Sequence, residues 1–307
     1  MCSSDLARPL ITLRVLRAFL RLSACAAAVC FSICGHSAQP AAAAPAEELA
    51  RQDAIYRSRG ADRPAGYVID RSLLSYTKAL PEAFDRALGL LRPHERWLDI
   101  GAGRGQAILD YYTPKFDMLH FEGKEGRGGK AQSVAMSIED RHTPDWEAKA
   151  AALPPGKIRY LAGRRLREYS REELGEFKLI TDVVGGFSYT TNLTLFMQNV
   201  LSALEVGGSF FTVLSDVERE AEKSRPHYEG SPFLTVIRRS DGSTMKVCTW
   251  LKSIGCVQVE CEAKANWEPP IEAFHVRKLC NEVTVPALTA VRFEAGTPPE
   301  REFRLAQ

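Results

Sequence analysis

The chain has 307 residues, 45% of them hydrophobic, enough to bury a full core in one large domain or two small ones. Its 40 Lys and Arg nearly cancel 38 Asp and Glu, and no block of like charge occurs. The bulk composition therefore carries no nucleic-acid footprint, and a small-molecule substrate is the default expectation.

Residues 1–46 read as a leader. Arg8, Arg14, Arg17 and Arg21 face a single acid, Asp5, and precede the uncharged stretch Leu22 to Cys34. Small residues follow, and Ala44-Pro45-Ala46 fits an A-x-A cleavage site. Together these features describe an export signal, with an apolar part too short to span a bilayer as an ordinary helix. Leu22-Ser23-Ala24-Cys25 also has the form of a lipoprotein cleavage box, but Arg17 and Arg21 would then lie inside the apolar region. A mis-assigned start and an organelle transit peptide are the alternatives. The next methionine, Met118, lies too far downstream to preserve the domain. Cutting after Ala46 removes four Arg and one Asp from 40 basic and 38 acidic residues, leaving 36 against 37. A genuine leader predicts an exported, periplasmic or membrane-associated protein, touching lipid through the leader; without it the location is cytoplasmic.

Cys2, Cys25, Cys30 and Cys34 belong to the leader, while Cys248, Cys256, Cys261 and Cys280 crowd the C-terminal quarter. No CxxC pair occurs, so no zinc site is expected. Export would let one or two disulfides staple this region. The simpler expectation is ordinary small buried residues.

Gln39 to Pro45 is an Ala/Pro linker, and residues 47–95 form a helical segment ahead of a main domain over 96–307. Within that segment a helix is expected over Leu73 to Leu91, with Leu74, Ala79, Phe84, Leu88 and Leu91 on its apolar face and Pro93 beyond its end. Strands are then expected over Arg96 to Ile100, Ser133 to Ile138, Lys157 to Ala162, Phe177 to Val184 and Ser209 to Leu214. Helices over Gln106 to Tyr112, Pro144 to Leu153 and Asn192 to Leu204 separate most of them, the last stopped by Gly207-Gly208. This alternation predicts a mostly parallel sheet with helices on both faces. Phe233 to Ile237 and Met245 to Trp250 flank Ser240-Asp241-Gly242 as a hairpin, and Val257 to Glu262 and Thr289 to Phe293 add two strands. They predict an antiparallel edge.

The sharpest local signal is Arg96-Trp97-Leu98-Asp99-Ile100-Gly101-Ala102-Gly103-Arg104-Gly105, a strand entering a glycine-rich turn and then a helix. Ligands of such folds bind in the crevice beyond the strand's carboxyl end. A dinucleotide G-x-G-x-x-G would need glycine where Gln106 stands, and normally an apolar residue in place of Asp99. A phosphate loop fails in the segment from Gly123 to Lys130, where Lys124 replaces a glycine and Ala131 follows the lysine.

Hydrophobic-hydrophobic-Asp-hydrophobic-Gly-x-Gly-x-Gly resembles motif I of the class I S-adenosylmethionine-dependent methyltransferases. Leu193, Phe196, Met197, Val200, Leu201 and Leu204, followed by Gly207-Gly208, resemble the helix and turn before strand five of that family. The resemblance covers roughly residues 70 to 215. It implies a Rossmann-like α/β fold with a mostly parallel seven-stranded sheet, helices on both faces and an antiparallel C-terminal edge. It also implies S-adenosylmethionine as cofactor, bound by Asp99, Gly101, Ala102, Gly103 and Gly105. An acid at the end of strand two would accept the ribose hydroxyls. Glu139, beside Asp140, is the preferred candidate, and Glu122 is the alternative. Asp182 and Tyr189, in Asp182-Val183-Val184-Gly185-Gly186-Phe187-Ser188-Tyr189, would lie beside the transferring methyl group. There Asp182 would orient cofactor or substrate; the structural alternatives are a cap on the following turn for Asp182 and core packing for Tyr189. The family often has an acid after strand three, whereas here Gly163 is followed by Arg164 and Arg165. His120 and His142 are expected at the surface. Tyr76 and the hairpin after strand five would cover the substrate pocket. The rival functions are a non-catalytic exported module on this fold and a nicotinamide-dependent oxidoreductase.

Overall fold

Residues 71–113, 129–215, 234–264, 271–294 and 300–306 are described in a computed structural model. The leader, the helix expected from Glu47, His120, Glu122 and most of the Gly123 to Lys130 loop lie outside them.

The centre is built from β1 (Arg96–Ile100), β2 (Gln132–Ser137), β3 (Ile158–Ala162), β4 (Phe177–Asp182) and β5 (Leu204–Ser215). All five run parallel, as their near-continuous apolar composition requires of strands covered on both faces. Two later strands, β8 (Val257–Lys264) and β9 (Ile271–Lys278), pair antiparallel beyond β5. The order is β3-β2-β1-β4-β5-β9-β8. Connections run one way from β1 to β3 and the other way from β4 onward, so the topological switch lies between β1 and β4. Their carboxyl ends open on the same crevice.

Two apolar layers sandwich the sheet. Leu73, Tyr76, Phe84, Leu88, Ile108 and Trp146 cover one face with Trp97, Leu179 and Phe211. They come from α1 (Leu73–Ala79), α2 (Ala83–Gly89), α3 (Gln106–Tyr111) and α4 (Pro144–Ala152). The single helix expected over Leu73 to Leu91 is thus two. Leu80, which precedes Pro81, is extended at ψ 161°, because the proline ring crowds a helical conformation before it.

On the other face, α5 (Arg171–Leu174), α6 (Gly186–Tyr189) and α7 (Leu193–Ala203) pack with Phe177, Ile180, Phe210 and Phe274. The Asn192 side chain caps α7 by accepting the Leu195 N–H at 2.9 Å. At the other end the buried Lys278 ammonium donates to the carbonyls of Leu201 and Leu204, at 2.8 and 2.7 Å. A cation there complements the helix dipole and satisfies terminal carbonyls. The α7 helix ends at Ala203 rather than at the glycine pair, which lies inside β5.

The ending departs from expectation. Only β6 (Leu234–Arg238) and the two-residue β7 (Thr244–Met245) form the hairpin. Residues expected as its second strand form α8 (Val247–Lys252), burying Val247, Trp250 and Leu251 at helical spacing. With β10 (Leu288–Glu294) and β11 (Glu300–Leu305), these strands make a second sheet of order β10-β11-β6-β7. The antiparallel edge is completed by β9, a strand additional to those expected.

Two disulfides correct the simpler expectation for the cysteines. Cys248 on α8 bonds Cys261 on β8, and Cys256 bonds Cys280. The second closes the open end of the β8–β9 hairpin: Val257 lies opposite Lys278, Leu279 donates its N–H to the Cys256 carbonyl at 2.8 Å, and Cys280, one residue on, comes within 5.4 Å of Cys256, Cα to Cα. They close separations of 13 and 24 residues, and loops of that size each stabilise a fold by roughly 3 kcal/mol. Full reduction is therefore expected to lower the melting temperature by several degrees, and the unreduced, denatured chain from Glu47 onward to show no free thiol. Four titratable thiols in that chain would contradict the pairing.

Candidate active site

Parallel register brings Asp99 of β1 level with Thr181 of β4, and both side chains lie fully buried. The Asp99 carboxylate accepts the Tyr76 hydroxyl at 3.0 Å on both oxygens and the Thr181 hydroxyl at 2.7 Å. Thr181 in turn accepts the Trp97 indole N–H at 2.8 Å. Removal from water pushes Asp99 up to about 7, against the pull of these donors; the nearby Asp182 charge adds to the rise. Burial likewise holds the Tyr76 phenol well above its ordinary value. A second carboxylate, Asp110, accepts the Leu73 N–H at 2.8 Å. The segment before β1 is thus tied by Asp99 and Asp110 on either side of the glycine turn, and Tyr76 reaches the core instead of only covering it.

The turn itself takes positive φ at Gly101, Gly103 and Gly105. Gly101 and Ala102 both donate their N–H to the Met136 carbonyl, at 2.9 and 3.0 Å, and Gly105 donates to Ala102 at 2.8 Å. Tyr160 hydrogen-bonds the Gly103 carbonyl. A Cβ on Gly101 would stand 2.6 Å from the Gly185 Cα, so the turn after β1 and the loop after β4 meet backbone to backbone. A Cβ on Gly105 would strike the Trp146 ring at 2.5 Å. Gly101 is exposed, whereas Ala102, Gly103 and Gly105 are buried.

Asp182 is also fully buried. Its oxygens accept the N–H groups of Gly185 at 2.9 Å and Phe187 at 3.0 Å, capping the turn into α6. Burial pushes it up to about 7, while those N–H groups and the Arg301 charge pull the other way. Between Asp182 and α6, Val184 takes φ 57°, a strained conformation for a β-branched residue. Tyr189, half-buried at the end of α6, lies near enough to favour the charged form of Arg301.

Glu139 stands two residues beyond the carboxyl end of β2, half-exposed, paired with Arg141. Asp140 beside it is exposed and pairs with His142, which also meets Glu147 at 3.2 Å. After β3, Arg164 lies over the Tyr169 ring at 3.9 Å and pairs with Glu173 at 2.9 Å, so it faces its own neighbours.

Several of these groups carry little local sequence signal. The polar pair Thr181-Asp182 closing an apolar strand was the available sign for Thr181. No local pattern marked Arg301, whose main-chain acceptors lie more than a hundred residues earlier. Nor did one mark His275, held between Ser209 at 2.9 Å and Glu260 at 3.3 Å and stacked on Phe211. Although Ser–His–acid in order, this relay runs across β5, β9 and β8, and its serine sits on β5, which is paired on both sides. The N–H groups of β5 are committed to the ladders and offer no oxyanion donors.

No protein-family model matches the sequence, and no curated protein does. Among solved structures, the chain is similar to the plantazolicin methyltransferase BpumL in complex with SAH: 12% identity, 76% of this chain, 97% of that one, TM-score 0.42. It is similar to the N-methyltransferase NodS from Bradyrhizobium japonicum WM9 at 12% identity, over 65% and 94% of the two chains, TM-score 0.41. An rRNA methylase from Streptococcus thermophilus matches at 10% identity, over 69% and 100%, TM-score 0.39. Five parallel strands in the order 3-2-1-4-5 with an antiparallel edge make a Rossmann-like α/β fold, and Asp99 leads from its first strand into the glycine turn.

The buried tie between Tyr76 and Asp99 makes a pH-dependent prediction. Because folding raises the Asp99 pKa from 3.8 to about 7, the folded chain keeps a proton the unfolded chain has released between those values. Its contribution therefore falls as pH rises through that window and levels off above it. Tyr76→Phe removes a donor to the charged form, so urea unfolding should show a deficit of about 2 kcal/mol near pH 9 and a smaller one near pH 5. An equal deficit at both would contradict the assignment.

Proposed function

We propose that the chain binds S-adenosylmethionine in the crevice between the Gly101–Gly105 turn and the loop after β4, and transfers its methyl group to a small-molecule acceptor. The observation that carries this reading is the way the turn spends its hydrogen bonds. A pyrophosphate at such a turn needs free N–H groups. Here those of Gly101, Ala102 and Gly105 are committed internally. The turn suits a phosphate-free nucleoside that lies against small-residue backbone, and Gln106 and Asp99 already depart from the dinucleotide pattern.

Bound there, S-adenosylmethionine would supply an already activated methyl group, so the protein's part is positioning and exclusion of water. Glu139, beyond β2, would accept the two ribose hydroxyls, with Asp140 beside it. Gly101, exposed at the crevice, would let the ligand approach the backbone. Asp99 and Asp182, both closed from solvent, would act through the elements they hold: α1 in one case, the Gly185–Tyr189 segment in the other. Tyr189 would border the acceptor. An acceptor attacking through a protonated group needs a base; His142 is engaged instead by Asp140 and Glu147.

The leader and the pairing of Cys248, Cys256, Cys261 and Cys280 support maturation in an oxidising compartment. That placement also favours a second reading. S-adenosylmethionine is made in the cytosol, so an exported chain would need a supply of it, or would use the fold for binding alone.

Calorimetric titration of S-adenosylmethionine, S-adenosylhomocysteine and NADH into the purified protein tests both. Micromolar binding of the first two, none of NADH, and a weakening of about tenfold in Glu139→Ala are expected, as for loss of a charge-assisted hydrogen bond. A folded protein that ignores the sulfonium nucleoside sinks the enzyme reading. Unchanged affinity in Glu139→Ala would remove Glu139 from the ribose site.

A further inference from the structure

The guanidinium of Arg301 is completely buried, on a strand of the second sheet, 119 positions along the chain from Asp182. Each of its nitrogens is engaged. Nε donates to the Thr235 hydroxyl at 2.7 Å, one terminal nitrogen to the Thr190 carbonyl at 2.8 Å, and the other to the Phe187 carbonyl at 2.7 Å. Two of these acceptors are main-chain carbonyls of α6 and its C-cap. Asp182 takes the N–H groups at the opposite end of the same short helix.

A four-residue helix cannot hold itself, since its terminal N–H and C=O groups have no partners within it. Here a carboxylate satisfies one end and a guanidinium the other, in agreement with the helix dipole. The preceding residue, Val184, is held in the left-handed region, where an unclamped chain would relax. Gly185, next along, touches the Gly101 turn. The position of the crevice wall therefore depends on both charges.

We infer that Arg301 is a positioning residue: from β11 it fixes the loop after β4 in the shape the cofactor crevice needs, making the second sheet part of the site. This rests on the methyltransferase reading. Planarity matters as much as charge, because three acceptors in a fan suit a guanidinium fork and an ammonium cannot reach all three.

The test compares Arg301→Met, Arg301→Lys and Thr235→Val with the full-length wild type in three measurements: melting temperature, S-adenosylmethionine affinity, and hydrogen exchange of the 185–190 amides. Thr235→Val removes one acceptor and leaves the loop's own sequence intact, and serves should the Met variant not fold. Arg301→Met is expected to weaken binding at least tenfold and to speed exchange at Gly185 and Phe187, with sheet amides unchanged at temperatures where it is folded. Arg301→Lys should recover part of both, and Thr235→Val should shift both a few-fold in the same direction. A merely structural role would lower the melting temperature and leave affinity and loop exchange as in wild type, and that result overturns the inference. If the wild type itself does not bind, the methyltransferase reading has failed separately. Exchange at 185–190 then decides alone whether Arg301 holds the loop, and unchanged rates overturn that too.

Discussion

The buried carboxylate of Asp99 is the point on which the rest of the site turns. A carboxylate removed from water must find donors or a proton, and two elements meet its strand to provide them: α1 with Tyr76 and β4 with Thr181, itself held by the Trp97 indole. Satisfying it forces α1 onto the sheet and fixes β1 against β4 at the switch point. Glycine is then required at position 101, because the turn leaving β1 has to pass within touching distance of the loop leaving β4.

A second buried charge pair extends the same logic to the far side of the crevice. Asp182 and Arg301 hold the two ends of α6, and Arg301 belongs to a strand formed only after the central sheet is complete in sequence. The C-terminal sheet is therefore more than a peripheral addition. Lys278 plays a related part at the end of α7, and the two disulfides lock the edge from which it projects. Arg301 joins a late strand to the loop after β4, so the crevice is shaped in part by a residue far from the motif that marks it.

How far this was legible follows from where the signals are local. Buried parallel strands read as short apolar runs between glycine and proline signals, so β1 to β4 fell within a residue or two of expectation. The glycine turn was legible because its conformational demands appear in its own residues. Two of the later strands were not. β9, in the central sheet, carries Glu272, His275 and Arg277, and β11, in the second, carries Arg301, Glu302 and Arg304, so neither reads as an apolar strand. The six residues of α8 are of mixed composition and fit the strand and the helix period alike. Asp99 was visible as a motif residue, but the sequence could not say that its oxygens face Tyr76 and Thr181, since that depends on the packing of α1. Likewise one cysteine pair depends on how α8 packs on β8 and the other on the pairing of β8 with β9, which spacing alone does not reveal.

A crystal structure of the protein with S-adenosylhomocysteine bears most directly on the claim that Asp99 builds the crevice from within. The account predicts the nucleoside between the Gly101–Gly105 turn and the loop after β4, with its ribose hydroxyls at Glu139. Asp99 should still be bonded to Tyr76 and Thr181. A ligand bound elsewhere, or an Asp99 carboxylate turned out to the ligand with α1 displaced, would contradict it.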